Sequence, residues 1–228
     1  MLIADLADGS GNLTIYDRIW TAIAERKLRP GTRLKEENLA DIFDVSRAKV
    51  RQALAALERD GLVTIQPNRG AAVAQPTIEE ARDILFARRT VETRLVERLC
   101  ATHTDAMIAR LRAHVAEERS ARQRGDTTAV IRLSGGFHML IGDLAGSPYL
   151  AEVLRDLVSR TSLIVAMYQI PSHADCGPDE HAEVVARIGA GDVDGAKGAM
   201  EHHLGHLEAR LDLDDDRSRD VDLREIFG

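Results

Sequence analysis

The amino-acid sequence predicts a mainly α-helical protein, in which an N-terminal winged helix-turn-helix is followed by an all-α helical bundle. Three observations support this fold class. Apolar residues recur at helical spacing along most of the chain, two helices near the front share a very short link, and two short apolar runs separated by turn residues follow them. With 228 residues, the chain is long enough for two modest domains that each bury a core.

The front of the chain is predicted to contain a flexible leader and a first helix. Residues 1–12 include a Gly-Ser-Gly run and show no periodic pattern, so we expect a leader there. Residues 13–27 carry apolar side chains on one side at helical spacing, and the Arg-Pro-Gly sequence of residues 29–31 ends this helix. Trp20 is a lone aromatic residue in the helix, and we expect it to pack in a core.

Residues 36–61 have the pattern of a helix-turn-helix. A short amphipathic helix is followed by the tight link of residues 44–46, and a second apolar stripe then runs as far as Gly61. Ser46 is placed to cap the second helix and to reach a phosphate or base. The first turns of that helix project three cations to the outside, where DNA bases and phosphates are met: Arg47, Lys49 and Arg51.

Beyond the second helix, two short strands are predicted. Residues 62–66 and 71–74 are apolar runs, and the Pro-Asn-Arg-Gly sequence of residues 67–70 supplies turn residues between them. This hairpin would form the wing, with Arg69 and Gly70 at its tip in contact with the DNA backbone or minor groove. Residues 13–75 are therefore predicted to form a winged helix-turn-helix DNA-binding domain.

Charge is distributed unevenly along the chain. The formal net charge of −7 by itself argues against binding to nucleic acid. Residues 12–75 nevertheless hold 11 basic and 8 acidic side chains, a balance of +3, whereas residues 76–228 hold 19 and 27, a balance of −8. Only the front domain has the sign that phosphate backbones attract.

Pro76 and Thr77 mark the expected domain boundary. Pro76 stops the second wing strand, and Thr77 forms a capping-box pattern with Glu80 three residues later. Helical periods without strand alternation then run through residues 77–101, 104–124, 126–145, 148–169, 178–190 and 192–211. Residues 76–211 are thus predicted to form a helical domain, and residues 212–228 an acidic tail.

The cysteines and the hydropathy pattern argue against several classes of protein. Cys100 and Cys176 lie far apart and form no C-x-x-C pair, so neither a zinc ribbon nor a redox dithiol is indicated. No apolar run approaches the length of a membrane span, and the first residues lack the basic segment of a signal peptide. We therefore expect a cytoplasmic protein with no membrane partner.

Four polar residues interrupt apolar stripes in the helical domain: Arg88, His138, His181 and His203. One inward histidine is more often a hydrogen-bonded core residue than a ligand. Three on three helices, together with a guanidinium, favour convergence on one cavity, because groups buried separately would each need their own partners. From spacing alone, a shared metal or anion site and separately bonded core residues remain equally open.

These motifs resemble two linked domain families. Residues 13–75 resemble the DNA-binding domain of the GntR family of bacterial transcription regulators. Residues 79–211 are similar to the FCD-type effector domain that defines the FadR branch of that family, an antiparallel helical bundle around a ligand cavity. The matching pieces of the second domain are Arg88-x-x-Val-Glu92, Phe137-His138, Glu180-His181 and Ala196-x-x-x-Met200-x-x-His203-Leu204.

The resemblance implies a set of ligands. Many members hold a divalent metal through an aspartate and three histidines, with a small carboxylate effector close to the metal and to an arginine. His138, His181 and His203 match the histidine positions, and Arg88 matches the arginine. Ser134 stands where the family has the aspartate, so a metal would depend on three imidazoles, which favour zinc or nickel. Arg88 and Ser134 are expected to face the effector.

The motifs and the resemblance together imply a ligand-responsive transcriptional regulator that binds a palindromic DNA operator as a homodimer, with its affinity modulated by a small organic acid. A metal-dependent hydrolase or deaminase is the alternative, since His181-Ala-Glu183 fits half of a zinc-deaminase signature. The other half, P-C-x-x-C, is missing, so no enzymatic activity is predicted. A purely structural adaptor would leave the basic helix-turn-helix without a purpose.

Overall fold

The structure is a computed structural model, and it describes residues 14–24, 27–66, 70–170 and 177–213. Within these ranges, the predicted helices and strands follow one another in the predicted order, and one further short strand precedes the helix-turn-helix. Their bounds are α1 Ile15–Ala24, β1 Arg33–Leu34, α2 Glu36–Phe43, α3 Arg47–Arg59, β2 Val63–Gln66, β3 Gly70–Val73, α4 Ile78–Thr102, α5 Asp105–Gln123, α6 Thr127–Leu144, α7 Pro148–Tyr168, α8 Gly177–Gly189 and α9 Val193–Ala209. The fold class is confirmed: a mainly α-helical chain with one small sheet near its front.

Helices α2 and α3 form the helix-turn-helix. Asp44 ends α2 in a left-handed conformation with φ of 51°, and its backbone N–H donates to the carbonyl oxygens of Ala40 and Asp41. Ser46 begins α3 by accepting a hydrogen bond from the backbone N–H of Lys49, so the predicted cap is present. The chain therefore reverses between the two helices within residues 44–46.

Three short strands form the wing sheet in the order β1-β3-β2, and both neighbouring pairs are antiparallel. β2 and β3 are the predicted hairpin strands, with Val63 opposite Val73 and Gln66 opposite Gly70. The sequence pattern does not predict β1, because two residues are too few to show the alternation that identifies a strand. Residues 67–69, and with them the predicted tip residue Arg69, lie outside the described residues.

The winged unit, residues 14–74, has its core between α1, α3 and the sheet. Ile19 and Ile23 of α1 and Leu54 and Leu57 of α3 are all at most 2% exposed and belong to one cluster. Burying each such side chain stabilises the fold by about 1.5 to 3 kcal/mol, which the ordering entropy offsets in part. Ile42 of α2 is instead 68% exposed, so the apolar residues of this helix do not all face inward.

Helices α4 to α9 form the bundle. The capping box predicted at the start of α4 is present, with Thr77 and Glu80 each bonding the other's backbone N–H. α4 packs against α7 and α9, while α5 packs against α6 and α8. Gly125 and Gly146, both with φ of 68°, make the left-handed turns after α5 and α6. None of the helices in the described ranges is long and apolar enough to cross a membrane.

The winged unit docks on α7 of the bundle. The indole Nε1 of Trp20 donates a hydrogen bond to Ser159 Oγ over 3.2 Å. Gly61 packs against the guanidinium of Arg160, and a Cβ at this glycine, where φ is 67°, would collide with it. The largest cluster of buried apolar residues consequently spans both units.

The last described residues pack back on the bundle. Leu213, which the sequence places in the acidic tail, is 7% exposed and clusters with Ala81 and Leu85 of α4. Its carbonyl oxygen accepts a hydrogen bond from Arg82 over 2.9 Å. Residues 214–228 lie outside the described residues.

Candidate functional site

Three histidines from three helices converge inside the bundle, and we refer to them as the histidine cluster. His138 lies on α6, His181 on α8 and His203 on α9, and their exposed fractions are 1, 0 and 2%. Nε2 of His203 lies 3.2 Å from Nε2 of His181 and 3.3 Å from Nε2 of His138. Phe137 stacks on the ring of His181 at a centroid distance of 3.9 Å, which restricts rotation of that imidazole.

Each imidazole of the cluster faces a buried or half-buried carboxylate with its other nitrogen. The distances from Nδ1 to the carboxylate oxygen are 2.5 Å for His138 and Glu92, 2.8 Å for His181 and Glu118, and 2.7 Å for His203 and Glu180. An ionised carboxylate can only accept hydrogen bonds, so the proton of each neutral imidazole lies on Nδ1. Nε2 then carries a lone pair in all three rings.

The imidazoles of His138 and His203 are held in the neutral form. Burial, followed by the charge of Arg88, holds the pKa of His138 well below its usual value. Burial also lowers the pKa of His203, although the hydrogen bond to Glu180 opposes this shift. Lone pairs that converge at distances of 3.2 and 3.3 Å repel one another unless a cation lies between them. The arrangement is therefore suited to a positive ion at the centre of the cluster.

The donor set of the cluster fits a divalent transition metal. Neutral imidazoles are typical ligands of zinc and nickel, and a carboxylate behind each ring fixes its orientation and raises its basicity. Ser134 lies one turn before His138 on α6 and is half-buried. Its neutral hydroxyl is a weaker ligand than a carboxylate, so three imidazoles would leave further coordination positions to water or to an anion.

A second histidine pair lies on the outside of the bundle. His202 and His206 are exposed on α9, and Nδ1 of His206 lies 2.5 Å from the second oxygen of Glu180. Burial raises the pKa of Glu180, but hydrogen bonds from His203 and His206 outweigh it and hold the pKa at about 2. The ligand atoms of His202, His206 and Glu180 are close enough to hold a metal ion from solution. The metal content of the buried cluster can therefore be measured only in protein that lacks this exposed pair.

Arg88 connects the histidine cluster to a neighbouring cavity. Its Nε donates to one oxygen of Glu92 over 2.6 Å, while the other oxygen of Glu92 faces His138. All three side chains are buried. Because a buried charge is stable only when it is paired, Glu92 balances Arg88 and orients His138 at the same time.

The cavity beside this network has a volume of about 130 Å³. An engineered protein cavity of about 150 Å³ binds benzene, so this volume suits a small organic molecule. Arg88, Ser134 and His138 line the cavity together with Thr161 and Gln169, and most of the remaining wall is apolar. Arg210 lines the cavity too, so two guanidiniums, an amide, hydroxyls and an imidazole face a space whose remaining wall is largely apolar, as in sites that orient small ligands.

The candidate DNA-binding residues lie at the start of α3. Arg47, Lys49 and Arg51 are all exposed. Arg51 donates from Nε and Nη2 to both carboxylate oxygens of Glu36, over 3.1 and 2.9 Å. The hydroxyl of Ser46 is exposed, but it already accepts the backbone N–H of Lys49. Two of the four residues therefore have partners within the protein that a DNA contact must replace or share.

A shallow groove between the wing and α3 adds two cations that the sequence patterns did not single out. Arg33 and Lys35, on either side of Leu34, line the groove together with Arg47 and Gly70. Gly70 is exposed with φ of 80°, and a Cβ built on it would meet nothing within 4 Å. Glu36 also lines the groove, so its three cations face one carboxylate and leave a net positive charge on the face that carries the start of α3.

The sequence did not predict the role of the carboxylates behind the histidine cluster, although Glu92 and Glu180 belong to the matching motif pieces. Glu118 is 1% exposed and Glu92 is fully buried. Glu118 follows Leu111 and Val115 at helical spacing, so the sequence places this charge in an apolar stripe and thereby indicates that it is buried. Glu92 stands four residues after Arg88, which is the spacing of a helical ion pair.

Both units match known protein families. A model of the FCD domain matches residues 83–206, and a model of bacterial regulatory proteins of the gntR family matches residues 12–73. The first match covers more than half of the chain and includes the whole histidine cluster and Arg88. The second covers the helix-turn-helix and the wing.

Named relatives and a solved structure show the same likeness over both units. The HTH-type transcriptional repressor RspR of Escherichia coli strain K12 is 25% identical over 201 residues, which are 86% of this chain and 86% of that protein. The HTH-type transcriptional repressor NanR of Edwardsiella tarda is 28% identical over 217 residues, which are 86% and 83% of the two chains. The crystal structure of a GntR transcriptional regulator from Rhodococcus sp. RHA1 has a TM-score of 0.74 and 27% identity, and the likeness covers 86% of this chain and 94% of that one.

Proposed function

Since this chain belongs to the GntR family of bacterial transcription regulators and carries an FCD domain, we propose that it binds a palindromic DNA operator as a homodimer and responds to a small carboxylate. Its relatives are transcriptional regulators and not enzymes, so the hydrolase or deaminase alternative has no support. RspR and NanR are named as repressors, and we extend this direction of regulation to the present chain.

In this proposal, α3 is the recognition helix. Arg47 and Lys49 are exposed in its first turn, where base edges and phosphates are met. In the free protein, Glu36 holds the guanidinium of Arg51 through two hydrogen bonds. On binding, Arg51 exchanges Glu36 for DNA and offers the same pair of donors. Ser46 contacts a phosphate or base, and Arg69 and Gly70 place the wing on the backbone or in the minor groove. The excess of positive charge in residues 12–75 supports this orientation of the chain on DNA.

Homodimerisation follows from the size of the reading surface. One recognition helix reads a short half-site, and specific affinity at physiological salt usually needs two such sites. Two copies related by a twofold axis would present paired α3 helices to the two halves of a palindrome. The helical bundle is the part of the chain available for this contact, since residues 76–211 hold 16 basic and 20 acidic side chains, a balance of −4 that makes them unsuited to DNA.

The effector half of the proposal depends on the histidine cluster and Arg88. His138, His181 and His203 hold one divalent cation, zinc or nickel, and a bound metal offers a coordination position to a carboxylate oxygen. Arg88 donates to the same carboxylate from the cavity wall, and Ser134 adds a hydroxyl. Because Ser134 brings no charge, the site is more cationic than one with an aspartate there, which favours an anionic effector.

One observation carries this half of the proposal. Three Nε2 atoms converge at 3.2 and 3.3 Å, with a carboxylate behind each ring, beside a cavity that Arg88 lines. Histidines buried for packing alone would be expected to bond through both nitrogens to separate partners. Convergence of three acceptors next to a guanidinium instead suits a cation and an anion bound side by side.

Native mass spectrometry of protein purified without a chelator or an affinity tag tests the metal site. The starting protein is the double variant His202→Ala, His206→Ala, which lacks the exposed histidine pair. We expect one zinc or nickel ion per chain in this protein and none after the additional change His181→Ala. Equal metal content in the two proteins would contradict the assignment to the buried cluster, and metal-free protein after incubation with zinc and nickel would contradict a metal site altogether.

A further inference from the structure

The cavity is not enclosed by the bundle alone, because Trp20 of the winged unit forms part of its wall. We propose that Trp20 is an effector-contacting residue, so that the DNA-binding unit touches the ligand directly. This inference rests on the proposed function, since it concerns the same carboxylate ligand. It identifies the path by which occupancy of the cavity reaches the recognition helix.

Trp20 is held at the cavity by the bundle. Its Nε1 donates to Ser159 Oγ over 3.2 Å, and Ser159 Oγ donates in turn to the carbonyl oxygen of Arg155 over 2.8 Å. Ser159 is 1% exposed and Trp20 is 8% exposed. The polar edge of the indole is therefore fixed on α7, and its ring is left as a wall of the cavity that Arg88 and His138 also line.

The neighbours of this contact belong to the cavity as well. Thr161 and Ser162 follow Ser159 on α7 and line the cavity, as do Val130 and Ile131 of α6. α1 packs against both α7 and α6. The cavity thus lies at the junction where α1 meets the bundle, with the guanidiniums of Arg88 and Arg210 and the neutral imidazole of His138 in its lining and part of its wall supplied by α1.

A ligand in this cavity can change DNA affinity only if it binds the docked and undocked winged units differently. A ligand that contacts Trp20 has this property, because undocking of α1 removes part of its binding surface. Residues 74–77 are the whole connection between β3 and α4, so movement of α1 turns the winged unit about a short link. Packing alone accounts for the burial of Trp20, but it does not account for a ring that faces a cavity lined by a guanidinium and an imidazole.

The contact can be tested by fluorescence, because Trp20 is the single tryptophan of the chain. The zinc-loaded full chain is titrated with four probes: acetate, malonate, citrate and benzoate. Binding is measured by isothermal titration calorimetry, and tryptophan emission is recorded in parallel. We expect at least one probe to bind. The change in tryptophan emission with probe concentration should give the same dissociation constant as calorimetry.

Two substitutions at Trp20 measure the contribution of the contact. Trp20→Ala should weaken binding of the same probe by at least about tenfold, since a buried aromatic contact is lost. Trp20→Phe retains apolar packing if the alanine variant fails to fold, and it should weaken binding less but measurably. Tyr149→Phe, which alters a side chain that is 77% exposed, serves as the matched aromatic control and should bind as wild type.

The outcomes separate this inference from the proposed function on which it rests. The role of Trp20 would be overturned by a probe that binds the wild-type protein but not Arg88→Lys, if two further results hold. Its binding would leave tryptophan emission unchanged, and it would bind Trp20→Phe with wild-type affinity. The carboxylate site would survive that result. If none of the four probes binds the wild-type protein, the carboxylate site is overturned, and the contact from Trp20 falls with it.

Discussion

Replacing Glu92 by glutamine preserves the shape of the side chain but removes the charge that faces Arg88 and His138. The three side chains are at most 4% exposed, so water cannot compensate for the lost charge. Leaving one member of a buried ion pair without its partner costs about 3 to 5 kcal/mol. In a chain of this size each kcal/mol lowers the melting temperature by about 2 to 4 °C, so we expect a loss of about 6 to 20 °C.

Thermal unfolding followed by circular dichroism, in chelator and then in excess zinc, measures this effect. Glu97→Gln is the matched control, because Glu97 lies on the same helix and pairs with Arg94 at the surface, where its side chain is 39% exposed. That variant should melt with wild type, since exposed pairs contribute little. Zinc should stabilise Glu92→Gln less than wild type, because loss of the carboxylate behind a ligand lowers metal affinity by about 10- to 100-fold. Equal melting temperatures for Glu92→Gln and Glu97→Gln would refute the pairing of Arg88 with Glu92.

Three further predictions concern DNA, the metal and assembly. Arg47→Ala and Arg51→Ala should each lower specific DNA affinity by about 1 to 3 kcal/mol where the contact is a bidentate base pair, as measured by gel shift; wild-type affinity in both would exclude α3 as the reading helix. Ser134→Asp should tighten zinc binding and weaken citrate binding in calorimetry, because a negative charge joins the site; tighter citrate binding would contradict the electrostatic reasoning. Sedimentation velocity should show a dimer at micromolar concentration, and a monomer both with and without DNA would count against paired recognition helices.

The helices of the bundle could be predicted closely because their signals are local. The observed ends differ from the predicted ends by two residues or fewer, as at α6, where Asp126 caps the first turn and Gly146 follows the last. Each boundary depends on a capping residue or a glycine next to an apolar stripe. β1 could not be predicted in this way, since Arg33 and Leu34 form a strand only by pairing with Ala71 and Ala72 of β3.

The inward positions in the candidate site could be predicted, but the partners could not. The apolar stripes indicate that His181 faces inward, which is a property of α8 alone. Its pairing with Glu118, 63 residues away, depends on how α5 packs against α8. Trp20 shows the same limit, because its hydrogen bond to Ser159 spans 139 residues and depends on how the two units dock. Periodicity predicts which face of a helix is buried, but it does not predict which other helix packs against that face.

A carboxylate bound in the helical bundle should change the DNA affinity of the winged unit. Fluorescence anisotropy tests it directly, with labelled palindromic segments from upstream of the gene, zinc-loaded protein, one fixed salt concentration, and each of acetate, malonate, citrate and benzoate in turn. We predict saturable binding to one such segment and a change of at least about fivefold in its dissociation constant with one of these carboxylates, abolished in Arg88→Lys. Binding to no segment, or a dissociation constant that none of the four carboxylates changes, would show that a carboxylate in the bundle does not control DNA binding.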